Sequence, residues 1–113
     1  NIHIDDITDV YLHLIDHPDV CGIYNAGFEN ISILDIAKLA AKHIPVEIEV
    51  TESNDPRSYR VNSDKLLATG FKPKKTVEHA VEEIIEKYRS GIVKDEEHCY
   101  NLKWMQSTLF ANR

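Results

Sequence analysis

Residues 22–50, GIYNAGFENISILDIAKLAAKHIPVEIEV, carry the reading that decides the expected fold. Gly22-Ile23-Tyr24-Asn25 reads as a short strand, and Gly27 allows the turn out of it. Ser32 and Asp35 have capping-box spacing, with Asp in place of the usual Glu. They open a helix over 33–43 whose inner face is Ile36, Leu39, Ala40 and Ile44. After Pro45, Val46, Ile48 and Val50 alternate with Glu47, Glu49 and Thr51, the period of a strand wetted on one face. Strand, helix and strand in sequence predict an α/β chain.

The flanks extend this outline. Upstream, Asp5 or Asp6 caps a helix whose Ile7, Val10, Tyr11, Leu14 and Ile15 recur at steps of three and four. His17-Pro18 closes it, because proline disfavours helix in the residue before it. Downstream, Asn54-Asp55-Pro56 of the polar stretch 52–57 favours a turn, and Tyr59-Arg60-Val61 reads as extended. Asn62 or Ser63 caps a short helix through Leu66 and Leu67 that ends at Gly70. Thr76 caps a final clear helix with Val77, Val81, Ile84, Ile85 and Tyr88 inward and Gly91 at its end. The expectation is mainly helices with two or three short strands over 1–91, then a tail over 92–113. In that tail Tyr100, Leu102, Trp104, Met105, Leu109 and Phe110 are apolar but irregularly spaced, and need a surface to lie on.

With 113 residues, 42% hydrophobic and 28% charged, the chain is globular material with room for only a thin core. A net charge of -6 disfavours general nucleic-acid and anionic-membrane surfaces, though not a local cationic pocket. No apolar run approaches the roughly 20 residues of a membrane span. Cys21 and Cys99, without metal-type spacing, read as reduced thiols of a cytoplasmic protein. A start at Asn1 without Met, running straight into Ile-His-Ile, reads as a segment of a longer protein.

Catalytic signatures are missing. The four glycines are scattered, so no dinucleotide or phosphate loop is present, and no Tyr has a Lys four positions on. His13 and His17, four apart with Asp9 a turn earlier, have metal-type spacing, yet Leu14 stands where the helical zinc motif wants Glu. They also suit a solvated helix C-terminus. Asp5, Asp6 and Asp9 form a carboxylate cluster that serves acid–base work or, more simply, the start of a helix. Arg57 and Arg60 flank Ser58 and Tyr59, a fork of donors beside an aromatic hydroxyl that suits a diphosphate. The same arginines could instead neutralise Glu47, Glu49 and Glu52.

Three segments in order carry a resemblance. NIHIDDITDVYLHLI (1–15) resembles the His-Val-x-Asp-x-Ala/Thr segment of extended short-chain dehydrogenase/reductases, with His3, Asp6 and Thr8 matching. GIYNAG followed by SILDIAKLAAKHI resembles that family's Tyr-Asn-x-Gly … Ser strand and helix. Residues 55–85, DPRSYRVNSDKLLATGFKPKKTVEHAVEEII, resemble its later Asp-x-x-x-Tyr, Leu-Gly-Phe-x-Pro and amphipathic-helix ending.

The resemblance implies the C-terminal, substrate-binding region of a Rossmann-type, NAD-dependent epimerase or dehydratase acting on nucleotide sugars. NAD(P) and the catalytic Tyr-x-x-x-Lys would then belong to the protein's own N-terminal Rossmann domain, leaving this chain inactive alone. Asp55, Arg57, Tyr59 and Arg60 would contact the nucleotide-sugar diphosphate. Glu52 stands where the family has an Arg before the Asp, which makes Arg57 the substitute. The whole enzyme would be a cytoplasmic protein, a homodimer in keeping with the family, without nucleic-acid or membrane partners. A different class of reading is a standalone interaction module docking through its apolar tail.

Overall fold

A computed structural model describes residues 1–52 and 58–109. Its helices are α1 (Ile4–Asp16), α2 (Ile33–His43), α3 (Asp64–Leu67), α4 (Val77–Arg89) and α5 (Asn101–Leu109), with a 3-10 turn at Glu97–Cys99. The chain divides into two compact units, Asn1–Glu83 and Ile84–Arg113, the boundary falling within α4.

The expected α/β class is overturned, because the described residues are all-helical and contain no strand. Residues 22–25, 46–50 and 59–61, each read as a strand, form no ladder. A strand needs a lateral partner for its N–H and C=O groups. At Val61 and Gly27, side chains supply such partners. Asn30 Oδ1 accepts from Val61 N at 2.9 Å while its Nδ2 donates to Val61 O at 3.0 Å. Ser63 Oγ accepts from Gly27 N and donates to Gly27 O, both at 3.0 Å. A Cβ at Gly27 would come within 3.4 Å of the Val61 side chain, so the glycine permits the close approach. The alternating 46–50 segment leaves Val46, Ile48 and Val50 exposed.

Local signals placed α1 to α4 well, whereas α5 falls in the tail that reads as irregular in sequence. Ser32 Oγ accepts from Asp35 N at 3.1 Å, capping α2 over the expected span. At α4, Thr76 Oγ1 accepts from His79 N and His79 Nδ1 accepts from Thr76 N, a reciprocal capping box with His at the third position. Asn62 Oδ1 accepts from Asp64 N to start α3, and Gly70 takes the left-handed φ of 93° after it. The cap of α1 differs from expectation. His3, not an aspartate, accepts from Asp5 N through Nδ1, and Asp6 turns inward.

The core of the first unit is small. Val10, Leu66 and Phe71 are buried, with Ile7, Leu14, Tyr24, Ala26 and Phe28 packed against them. Phe28 stacks on Phe71 with ring centroids 5.5 Å apart. Of the residues assigned to α1's inner face, Tyr11 and Ile15 are exposed, while Val10 carries the packing. The second unit holds the end of α4, closed by Gly91 at φ 73°, and α5 beyond it. Leu102, Trp104 and Met105 of α5 are exposed.

Candidate functional site

Three buried polar side chains tie the first unit together: His3, Asp6 and Ser63. Asp6, 1% exposed, accepts from the backbone N–H groups of Lys74 at 2.9 Å and Lys75 at 3.0 Å. It thus fixes the segment leading into α4 against the first turn of α1, where a carboxylate also suits the helix dipole. The Glu29 carboxylate accepts from the Val77 N–H at the start of α4 at 3.1 Å, and Asn1 Nδ2 donates to Glu29 O at 3.2 Å. All three segments that carry the family resemblance therefore meet in one polar framework.

His3 also faces a metal-type group. His3, Asp5 and Glu83 each offer a ligand atom within 4.8 Å of the others. Two observations assign the group to structure instead. Nδ1 of His3 is taken by Asp5 N–H, which leaves the proton of the neutral ring on Nε2, 3.5 Å from Glu83. Lys75 Nζ lies 2.7 Å from the other Glu83 oxygen and already supplies the cation. That hydrogen bond raises the Lys75 pKa above the usual 10.5, and the Lys74 pKa is raised likewise by its hydrogen bond to Asp9. Asp35 is held below the usual carboxylate value by Ser32 and then Lys38.

The His13–His17 pair is also committed. Thr69 Oγ1 donates to Leu66 O at 2.6 Å, so it accepts from His13 Nε2 at 2.9 Å. His17 Nδ1 donates to His13 O at 2.8 Å, and the rings lie 4.3 Å apart. Asp9, the third member of that spacing, pairs with Lys74. Cys21 and Cys99 are free, exposed thiols.

Of the four sequence-derived contacts, Asp55 and Arg57 lie outside the described residues. Tyr59 and Arg60 are exposed and line a cleft of about 530 Å³ that also includes Asn30, Ser32 and Ile33 at the start of α2. Arg60 further lines a second cleft of about 430 Å³, with Phe28, Asp64, Leu67 and Pro73 on its walls. Asn30, Arg60 and Val61 are common to both. Among the described residues Arg60 makes no ion pair, so Glu47, Glu49 and Glu52 do not hold it. The arrangement offers a planar donor fork that no described carboxylate claims, and a phenol, beside two open hollows.

Sequence reasoning missed Asn30 and Glu29, and read Ser63 only as a cap candidate for α3, a bond its side chain does not make. Their partners lie 31 to 48 residues away and are mostly backbone groups, which leaves no local pattern to read. No family model matches the chain, and no solved structure matches it either. Among the described residues no helix is long and apolar enough to cross a membrane.

Proposed function

We propose that this chain is the substrate-facing part of an NAD-dependent nucleotide-sugar epimerase or dehydratase, with Tyr59 and Arg60 at the substrate diphosphate. The observation that carries the reading is the Arg60 guanidinium: it is exposed, without an ion pair among the described residues, and lines both clefts. A guanidinium pairs two phosphate oxygens at once, so one in this setting, beside a phenol, is suited to a diphosphate. The cofactor, bound by the N-terminal Rossmann domain of the same protein, would supply reversible hydride transfer at a sugar carbon. The residues of this chain would bind and orient the substrate and take no part in bond making. Asp55 and Arg57 complete the proposed contact set from sequence.

The test is a titration of the isotope-labelled chain with UDP, dTDP, GDP and CDP, followed by amide shifts. The expected result is saturable movement at Tyr59, Arg60 and Asn30 for at least one diphosphate and no saturable NAD binding elsewhere on the chain. Arg60→Ala should weaken that binding about tenfold, equivalent to ~1.4 kcal/mol. Shifts that avoid residues 58–61 with all four nucleotides would sink the reading, as would saturable NAD binding away from those residues.

A second reading rests on α5, where Leu102 is 72% exposed and Trp104 and Met105 are also open to solvent. An interaction module would use this surface for a partner. Loss of a co-purifying protein on Leu102→Asp, with nucleotide binding absent throughout, would favour it.

A further inference from the structure

We infer that Asn30 is a positioning residue that holds Arg60 at the wall between the two clefts; this rests on the reading of Arg60 as the anion contact. The carboxamide of Asn30 takes both backbone groups of Val61, the residue next to Arg60, at 2.9 and 3.0 Å. This copies the paired N–H and C=O contacts that a neighbouring strand would make. A side-chain amide carries its donor and its acceptor on separate atoms in one plane, whereas an ionised carboxylate lacks the donor. Asn30 is itself seated on a fixed segment. Phe28 N donates to Asn1 O at 3.0 Å, and the Glu29 carboxylate accepts from Val77 N at the start of α4.

The position of the bridge gives it functional meaning. Asn30, Arg60 and Val61 are the residues that the two clefts share, so the bridge forms their partition. On the far side, Ser63 and Gly27 exchange two further hydrogen bonds, pinning the chain again two residues beyond Val61. Arg60 therefore leaves a backbone that is clamped on its C-terminal side. An anion seated there does not have to order the segment on binding, a cost that a loose loop would impose. An elongated ligand with a central diphosphate and a group at each end could straddle the partition, one end in each hollow.

The experiment uses the full 113-residue chain with inorganic pyrophosphate as probe, comparing wild type with Asn30→Ala and Asn30→Asp. In Asn30→Ala the Val61 amide should exchange roughly tenfold faster at an unchanged urea midpoint, because local opening no longer breaks its bond. Pyrophosphate affinity, read from the Arg60 amide, should fall roughly fivefold through the added ordering cost. Asn30→Asp keeps the acceptor for Val61 N–H and should restore Val61 protection, which a merely space-filling role of Asn30 would not produce. Val61 exchange within twofold of wild type in Asn30→Ala overturns the inference, as does unchanged pyrophosphate binding. If Asn30→Ala fails to fold, Asn30→Val, which also lacks donor and acceptor, carries the same comparison. Absence of an Arg60 response in the wild type overturns the anion reading and the role of Asn30 with it, whereas a wild-type response unaltered by the Asn30 variants overturns only the latter.

Discussion

Replacing Asp6 by alanine should be the most damaging single polar change in the first unit. The carboxylate is 1% exposed and accepts two backbone N–H groups, from Lys74 at 2.9 Å and Lys75 at 3.0 Å. Hydrogen bonds to a charged group contribute about 1.5–3 kcal/mol each, and donors left unsatisfied in the interior keep their desolvation cost. Removing both bonds should therefore cost about 3–5 kcal/mol, with partial relief if water enters the space. That is a large share of the roughly 5–15 kcal/mol by which small domains are stable. The core here is thin, with Val10, Leu66 and Phe71 as its buried apolar members, so little else compensates. Asparagine retains one acceptor and should cost less, about half as much. The assay is urea unfolding followed by far-UV circular dichroism and by the amide signals of Leu66 and Phe71. At a slope of roughly 2 kcal/mol/M, the alanine variant should unfold about 1.5–2.5 M earlier. A loss below about 1 kcal/mol for Asp6→Ala would show that Asp6 does not anchor the approach to α4.

Two further outcomes test the packing and the charges. Leu66 is fully buried, and Leu66→Ala should cost about 2–5 kcal/mol by the same urea assay, the spread reflecting how far Phe71 and Val10 relax. The raised pKa values of Lys74 and Lys75 mean that the folded chain holds those protons more tightly than the unfolded one. Their contribution is present below the ordinary lysine value of 10.5 and is lost as pH rises through the raised values. The urea midpoint should therefore fall as pH rises above the ordinary lysine value of 10.5, and fall less in a Lys74→Met/Lys75→Met double variant. Identical slopes in the two proteins would remove these pairs from the account.

Much of the helical content was legible because its signals are local. Ser32 with Asp35, Thr76, and Gly70 and Gly91 act within one turn, through backbone groups that a neighbouring side chain satisfies. Assignments failed where the deciding contact is distant, as at 46–50 and at the cap of α1. Period-two alternation at Val46, Ile48 and Val50 describes a strand only if another segment pairs with it, and none of the described residues does. Asp6 looked like a cap because aspartate favours helix starts, but Lys74 and Lys75, 68 and 69 residues away, claim its carboxylate. His3 then takes the cap, a role that the ring nitrogen fills and that its residue type does not advertise.

The candidate site divides the same way. Arg60 and Tyr59 stood out in the sequence because a guanidinium beside a phenol is a recognisable donor set. Whether Arg60 is spoken for by Glu47, Glu49 or Glu52 depended on distances that spacing does not encode, and in the folded chain none of the three pairs with it. The sequence alone thus placed the starts of α2, α3 and α4 and the glycines that follow α3 and α4, since caps and glycines act over a few bonds; it did not show the cap of α1 or the helix α5. Only the tertiary structure decided that the extended segments are stitched by Asn30 and Ser63 rather than by a sheet, and that Arg60 faces two clefts. Hydrogen bonds between residues 31 to 36 positions apart form only when the chain has closed on its small core, so their partners are chosen by the fold.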